Sequence, residues 1–279
     1  MGNTFSKKGG HAIIHIGADS LINYGEGVST LKKLMENQIL CASIFLLLAF
    51  ATAYYLFFWN RGAVQTMAHP VHFQGATVII DAGHGGEDGG AVSPAGNVES
   101  LVNLGIAKRL DQILGLYGAD VIMLRTEDVS LHDSTAETLR QKKVSDLKNR
   151  VATINATPDA TLISIHQNTF AGSSKYHGAQ VFYANPDLTL PFAQYTQETL
   201  RQALDPDNSR VATKIPDTVY LMKNITCRAI LVECGFLSNP TEDALLQTDG
   251  YQTKIAAALA GAYLSYQEIT PERELPNES

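Results

Sequence analysis

From residue 76 onward, short apolar runs alternate with longer amphipathic stretches, and this alternation limits the folds open to the chain. Runs such as 78–81 and 229–232 are β-branched and have the length of buried strands. Stretches such as 99–117 and 138–156 have the length and apolar spacing of helices. We further predict strands over 119–124, 161–165, 179–183 and 219–222 and helices over 191–204, 239–247 and 251–266. The sequence therefore predicts a single three-layer α/β domain around a twisted, mostly parallel sheet.

Ahead of this region, residues 39–59 form an apolar run that contains no charged side chain and ends in aromatic residues. As a helix the run would span about 30 Å, which matches the apolar core of a bilayer. A cleaved signal peptide would have a shorter apolar region, and a buried core helix is the other alternative. We predict one transmembrane helix over 39–59. Lys32 and Lys33 before it favour a cytoplasmic N-terminus, which leaves the α/β domain outside the cytoplasm.

The remaining boundaries follow from local composition. Residues 1–38 show no sustained period and are predicted to be disordered. If translation starts at Met35, residues 1–34 would never be made. Residues 60–75 are polar and irregular and are predicted to be a linker to the α/β domain over 76–267. The tail over 268–279 has two prolines and few apolar side chains, which is typical of disorder.

Charge and cysteine content exclude two classes of function. The formal net charge is −7 and no basic run exceeds a Lys-Lys pair, so nucleic acid is not an expected partner. The cysteines Cys41, Cys227 and Cys234 form neither a disulfide framework nor a CxxC metal site. The chemistry of this chain is therefore expected to rest on other residues.

Titratable residues follow three of the predicted strands. The first strand ends in a Gly-rich loop that carries His84, another leads into His166, and a third leads into Glu233. Ligands of open α/β sheets bind beyond the carboxyl ends of the strands, so these side chains are expected to meet. Glu99 begins the helix after the His84 loop and is expected to return over the same edge.

Two histidines and one carboxylate, with one position left for water, are the coordination of a catalytic zinc ion. A second glutamate that does not bind the metal can take a proton from the attacking water and pass it to a leaving amine. We assign Glu99 to the metal and Glu233 to this acid–base role. The pattern thus indicates a metal-dependent hydrolase with Zn²⁺ as its cofactor.

Each of these residues also has a structural alternative. His84 can belong to an anion-binding glycine loop, although the lysine of a P-loop is missing. His166 can be a hydrogen-bonded core histidine, and Glu99 can be an acidic residue that suits a helix N-terminus. Glu233 can form a buried salt bridge, to Arg125 or Arg150 in particular. Cys234 can be a nucleophile, but no neighbouring feature lowers its pKa.

The segments around these residues resemble the zinc-dependent N-acetylmuramoyl-L-alanine amidases of the amidase 3 family. Residues 79–86, 164–168 and 231–239 are similar to three family signatures in the correct order, with Ala82 where proline is commoner. Arg125 with Asp128, and Arg150 with Asn155, continue the pattern. The resemblance covers about residues 76–266, which is essentially the whole predicted domain.

This resemblance implies specific roles for the residues that converge. The zinc ligands of the family fall on His84, Glu99 and His166, and its catalytic glutamate falls on Glu233. Glu99 is followed by Ser100, where the family usually has a basic residue, so its place rests on the spacing from His84. Further contacts to the ligands or to the substrate are expected from Asp81, Asn168 and Arg150.

Residues 142–150, 220–226 and 238–246 resemble the branch of the family that processes spore cortex. That likeness implies that the substrate is peptidoglycan, in which a glycan strand carries stem peptides. It also implies a muramic acid deacetylase as a functional partner. It also fits a membrane-anchored enzyme that acts in sporulation and germination. The alternatives are a vegetative wall amidase, a zinc enzyme that cuts another wall bond, an anchored wall-binding module without activity, and a pure membrane adaptor.

Overall fold

The computed structural model describes residues 32–33, 35, 37–52, 54, 77–157 and 159–269. The chain divides into two compact units, Met1–Pro70 and Val71–Ser279. In the first unit, residues 37–52 form helix α1, whose side chains are all exposed. Within the described ranges, no helix combines the length and the apolar character needed to cross a bilayer. The transmembrane helix predicted over 39–59 stays a prediction, because the described residues cover only part of that range.

Several predicted segments fall wholly or largely outside the described residues. These are the N-terminal segment over 1–38, the end of the predicted anchor after residue 54, the linker over 60–75 and the tail beyond residue 269. Their boundaries remain predictions.

The second unit is built on one sheet of six strands. The strands are β1 (Thr77–Ala82), β2 (Asp120–Met123), β3 (Thr161–Asn168), β4 (Gln180–Tyr183), β5 (Thr213–Lys214) and β6 (Arg228–Phe236). Their order is β2-β1-β3-β6-β4-β5. The first four strands in this order are parallel, whereas β4 is antiparallel to β6 and parallel to β5. The predicted α/β fold is confirmed, and the sheet is mixed because its last two strands run in the opposite direction.

Six further helices accompany the sheet. They are α2 (Glu99–Leu116), α3 (Leu139–Asn155), α4 (Pro186–Leu204), α5 (Tyr220–Lys223), α6 (Pro240–Leu246) and α7 (Asp249–Ile269). Helix α3 begins at a capping box, in which Thr138 and Gln141 bind each other's backbone N–H groups. The Asn239 side chain caps α6 in a similar way, and Pro240 occupies its first turn.

Both faces of the sheet are buried, which explains why its central strands are continuous apolar runs. Successive strand side chains point to opposite faces. Val78 therefore belongs to a core shared with α2, α4 and α7, whereas Ile79 belongs to a core shared with α3 and α5. The result is three layers with the sheet in the middle.

One predicted element is wrong and one is missing from the prediction. The strand predicted over 219–222 is the one-turn helix α5, whose Tyr220 carbonyl accepts a hydrogen bond from the Asn224 side chain at 2.7 Å. A four-residue apolar run contains too little periodicity to separate a strand from a helix turn. Strand β5 was not predicted because its two residues are both exposed.

Candidate active site

The carboxyl ends of β1, β3 and β6 lie side by side. In the parallel ladders Asp81 is level with Ser164, and His166 is level with Glu233. Level residues on paired strands project to the same face of the sheet, so His166 and Glu233 are neighbours at one edge. The predicted convergence of these strand ends is thereby confirmed.

The loop after β1 folds back over β3 and carries His84 to this edge. Gly83 donates a backbone hydrogen bond to the Ile165 carbonyl at 3.0 Å. A Cβ atom on Gly83 would lie 2.2 Å from Cε1 of His166, so only glycine allows the loop to pass this ring. His84 itself has a φ of 63°, which turns the chain sharply at the tip of the loop.

His84, Glu99 and His166 form a compact cluster. Oε1 of Glu99 lies 2.9 Å from Nδ1 of His166 and 3.4 Å from Nε2 of His84. The two imidazole rings meet edge to face with centroids 5.0 Å apart. One ligand atom from each of the three residues lies within 4.8 Å of the others. Two imidazole nitrogens and a carboxylate at this spacing fit a divalent metal ion such as zinc.

Within the cluster, the carboxylates favour the protonated form of His84, and the histidines favour the ionised form of Glu99. Burial alone would lower the pKa of His84, but the carboxylates of Asp88 and Glu99 outweigh it and raise that pKa to about 9. Burial would raise the pKa of Glu99, yet the hydrogen bonds from His166 and His84 hold it well below its usual range. Glu99 is therefore a carboxylate at neutral pH and is available as a metal ligand.

Two polar residues that the sequence analysis missed hold the cluster in place. Nδ1 of His84 lies 3.0 Å from Oδ2 of Asp88. Asn103 donates to Oε1 of Glu99 at 3.3 Å and to the Gly83 carbonyl at 3.1 Å. The spacing offered a signal for both, since Asp88 follows His84 within the same loop and Asn103 lies one helical turn after Glu99.

Arg150 and Asp81 lie beneath the His84 loop, and both are buried. Their side chains form an ion pair with each other, and Ser164 donates to Asp81 at 2.7 Å. Arg150 also donates to the His84 carbonyl at 2.8 Å and pairs with Asp146 at 2.8 Å. The guanidinium lowers the pKa of Asp81 despite burial, which acts to raise it. These contacts hold the backbone of the loop. Asp81 also interacts electrostatically with His166, which further lowers the pKa of Asp81.

Arg125 forms a second support for the same loop. Its guanidinium donates to the carbonyl oxygens of Ala82, Gly83 and Ser100 at 2.9, 3.1 and 2.8 Å. It thereby ties the loop to the first turn of α2, where Glu99 lies.

Glu233 has no salt bridge to either arginine. Its Oε2 atom is buried, and no hydrogen-bond partner for it exists among the described residues. Burial raises the pKa of Glu233 to about 7, and the nearby Glu99 adds to this while the histidines oppose it. Buried unpartnered carboxyls are costly, so one at this edge points to a chemical role. Burial raises the pKa of the Cys234 thiol strongly, which argues against a nucleophile there.

A cavity of about 240 Å³ opens beside His84 and His166. Helix α3 lines it with Lys143 and Leu147, and Tyr220 at the start of α5 contributes to its wall. Asn168, predicted as a substrate contact, lies at the end of β3, where its carbonyl accepts from the Leu237 N–H at 2.8 Å. The cavity lies on the face of the sheet that packs against α3 and α5, and it opens to solvent beside these two helices.

An α/β domain that gathers two histidines and two glutamates at one sheet edge has the residue set of a hydrolase with a metal site. The family model described as N-acetylmuramoyl-L-alanine amidase matches residues 78–264, and the chain belongs to this family of amidases. The family membership expected from the motifs is thereby confirmed.

Individual relatives agree with this assignment. The chain is 37% identical over 236 residues to the germination-specific N-acetylmuramoyl-L-alanine amidase of Bacillus subtilis (strain 168), covering 84% of this chain and 95% of that protein. The solved structure of the CwlD amidase from Clostridioides difficile, in complex with the GerS lipoprotein, is 37% identical with a TM-score of 0.66. That match covers 69% of this chain and 98% of CwlD. An N-acetylmuramoyl-L-alanine amidase from Clostridium difficile 630 is 28% identical with a TM-score of 0.60, covering 69% and 97%.

Proposed function

We propose that this amidase depends on zinc and cleaves the amide between the lactyl group of N-acetylmuramic acid and L-alanine in peptidoglycan. The observation that carries the proposal is the approach of His84 and His166 to one carboxylate oxygen of Glu99. A hydrogen-bonded core histidine would need only one such partner. Two imidazoles that share one buried oxygen fit a site for a cation.

In this proposal His84, Glu99 and His166 hold the ion. When bound, zinc would supply the Lewis acidity that polarises the amide carbonyl and lowers the pKa of water. Glu233 accepts the proton of the attacking water and then delivers it to the nitrogen of the leaving L-alanine. Its place level with His166 and its unpartnered Oε2 suit this role.

The neighbouring residues keep this geometry fixed. Asp88 orients the His84 ring through Nδ1, and Arg150 and Asp81 hold the loop from below. In this proposal the cavity beside the two histidines receives part of the peptidoglycan chain, and Asn168 at the end of β3 contacts the substrate. A site held by such a network needs little rearrangement during the reaction.

The proposed setting is the spore cortex. It is supported by the 37% identity to the germination-specific amidase over 95% of that protein. We further propose that a deacetylase is the functional partner, and that it acts on the muramic acid residues from which this enzyme has removed the stem peptide. Because CwlD was solved with the GerS lipoprotein, a lipoprotein partner is proposed here as well.

We also propose a membrane anchor over residues 39–59, with the catalytic domain outside the cytoplasm. The described part of α1 exposes large apolar side chains, among them Phe45 and Phe50. Recovery of the full chain in the detergent phase after two-phase extraction would support the anchor. Recovery in the aqueous phase would contradict it.

The central experiment is digestion of purified peptidoglycan by the full chain, with products read by mass spectrometry. We expect released peptides that begin with a free L-alanine amine, together with intact glycan strands. A chelator should abolish release, and added zinc should restore it. Cleavage within the peptide, or loss of acetyl groups alone, would instead identify a peptidase or a deacetylase.

A further inference from the structure

A second cavity, of about 500 Å³, lies between the start of β4 and the loops over 175–177 and 207–211. Gln180 lines it, and Gln180 is level with Glu233 in the antiparallel ladder between β4 and β6. The first cavity includes His166 of β3, which is level with Glu233 on one side of β6. The second cavity includes Gln180 of β4, which is level with Glu233 on the other side. The two cavities therefore reach the two sheet neighbours of Glu233.

Arg210 dominates the chemistry of this second cavity. Its guanidinium lies 4.7 Å from the centre of the buried Phe236 ring. Nε donates to the His177 carbonyl at 3.2 Å, and one terminal nitrogen donates to Oε1 of Gln180 at 3.1 Å. All three partners are neutral. Among the described residues, no carboxylate lies within ion-pair distance of Arg210.

The surroundings hold Arg210 rigidly. The buried side chain of Asn208 accepts from the backbone N–H of Arg210 at 3.1 Å and donates to the Ala179 carbonyl at 2.8 Å. Tyr176 stacks on Phe236 with centroids 6.2 Å apart, and so forms an aromatic wall. An arginine fixed by neutral partners, with further N–H groups left over, is prepared to bind an anion in a forked geometry.

The charges that line the cavity indicate which half of peptidoglycan would bind there. Lys175 adds a second positive charge to the lining, against the one carboxylate of Asp207. The peptide half of peptidoglycan carries free carboxylates, whereas its N-acetylated sugars are neutral. An anion site beside the catalytic glutamate therefore suits the peptide rather than the glycan.

We infer that this second cavity binds a carboxylate of the stem peptide and that Arg210 is the residue that recognises it. The inference rests on the proposed function, because it places the peptide leaving group on the β4 side of Glu233. The glycan then lies on the opposite side, near the first cavity. Substrates with amidated stem peptides would lose the forked contact and bind more weakly.

Calorimetric binding of the released peptide product tests this without requiring turnover. The probes are a stem peptide that begins with L-alanine and the same peptide with its carboxylates converted to carboxamides. For the wild-type chain we expect amidation to weaken binding about 10- to 100-fold, the range of hydrogen bonds between charged groups. In Arg210→Gln the two peptides should differ less than about twofold. Arg210→Lys, which keeps the charge but loses the fork, should give an intermediate difference.

The matched control is Arg201→Gln on α4, where the arginine pairs with Glu198 on the surface. It should discriminate between the two peptides as well as the wild type does. If the wild type binds both peptides equally, or if Arg210→Gln and Arg210→Lys discriminate as the wild type does, the inference is wrong. Thermal melts verify that each variant is folded. If Arg210→Gln does not fold, the comparison of Arg210→Lys with the wild type decides the test. Peptidoglycan digestion in parallel separates this outcome from failure of the proposed function.

Discussion

Asp88 and His84 form a pair in which one carboxylate oxygen lies 3.0 Å from Nδ1 of the imidazole. The ammonium group of Lys143 lies 3.1 Å from the same oxygen and holds it from the side of α3. The pair leaves Nε2 of His84 to face Glu99. A carboxylate behind a histidine ligand fixes its tautomer and increases its basicity. In the proposed zinc site we therefore expect Asp88 to tune the affinity of His84 for the metal.

Replacing Asp88 with alanine should therefore weaken zinc binding about 10- to 100-fold. Affinity is measured by competition with a chromogenic chelator, which needs no turnover. Glu87→Ala is the matched control, because Glu87 is next in sequence but pairs with Lys142 at the surface. Equal affinities of Asp88→Ala and the wild type would contradict the role given to Asp88.

Replacing Glu233 with glutamine should lower kcat by about 10²- to 10⁴-fold, the contribution typical of a general acid–base group. Zinc content and KM should stay close to those of the wild type, because Glu233 is not among the proposed ligands. Turnover on peptidoglycan and metal analysis of the same sample check both points. A variant with near-normal turnover would remove Glu233 from the mechanism.

Replacing Gly83 with alanine should disrupt the site even though the change adds a single methyl group. The new Cβ would lie 2.2 Å from the His166 ring, so either the loop or the ring must move. We expect loss of tight zinc binding and a lower melting temperature. Gly115→Ala in α2 is the control, since a Cβ there meets nothing within 4 Å, and it should be neutral or slightly stabilising. Equal effects of the two changes would refute the steric argument.

Replacing Asp81 with asparagine should lower the free energy of unfolding by about 1–3 kcal/mol, because the buried Arg150 loses one carboxylate partner and keeps only Asp146. Asp249→Asn is the matched control, since Asp249 pairs with Arg109 at the surface. That change should cost less than about 1 kcal/mol. Urea unfolding at neutral pH measures both. A cost for Asp81→Asn as small as that of the control would show that the buried pair adds no stability.

The stability contributed by the Asp81–Arg150 pair should also depend on pH. The pKa of Asp81 is held below its ordinary value of 3.8, so the folded state favours the ionised form. Its contribution to stability is complete above about pH 4 and is lost as the pH falls through the lowered pKa. The difference in unfolding free energy between wild type and Asp81→Asn should therefore shrink below pH 4. A constant difference down to pH 2 would contradict this.

The main features of the site could be predicted because they depend on strand ends. Apolar runs that stop at His84, His166 and Glu233 require only that the strands be parallel neighbours, and the sheet provides this. Glu99 was predictable from its position at a helix start. The metal and catalytic roles of these four residues remain predictions.

The supporting contacts were harder to predict, because they depend on loop geometry. The spacing of Asp88 from His84 suggests a contact, but the positive φ of His84, which turns the loop, has no signal in the local sequence. Arg150 was a candidate for the site, but its contacts with Asp81 and the His84 carbonyl appear only once α3 packs beneath the loop. The reversal of β4, which places Gln180 level with Glu233, leaves no trace in the apolar pattern.

The place of β6 in the sheet has a consequence for the timing of activity. Strand β6 is the last to be synthesised, yet it lies between β3 and β4 in the interior of the sheet. A nascent chain that ends before residue 228 already contains His84, Glu99 and His166, but it lacks Glu233 and the strand that joins the two halves of the sheet. Such long-range pairing forms late in folding. Until β6 has been made and inserted between β3 and β4, the chain therefore lacks the proposed acid–base residue.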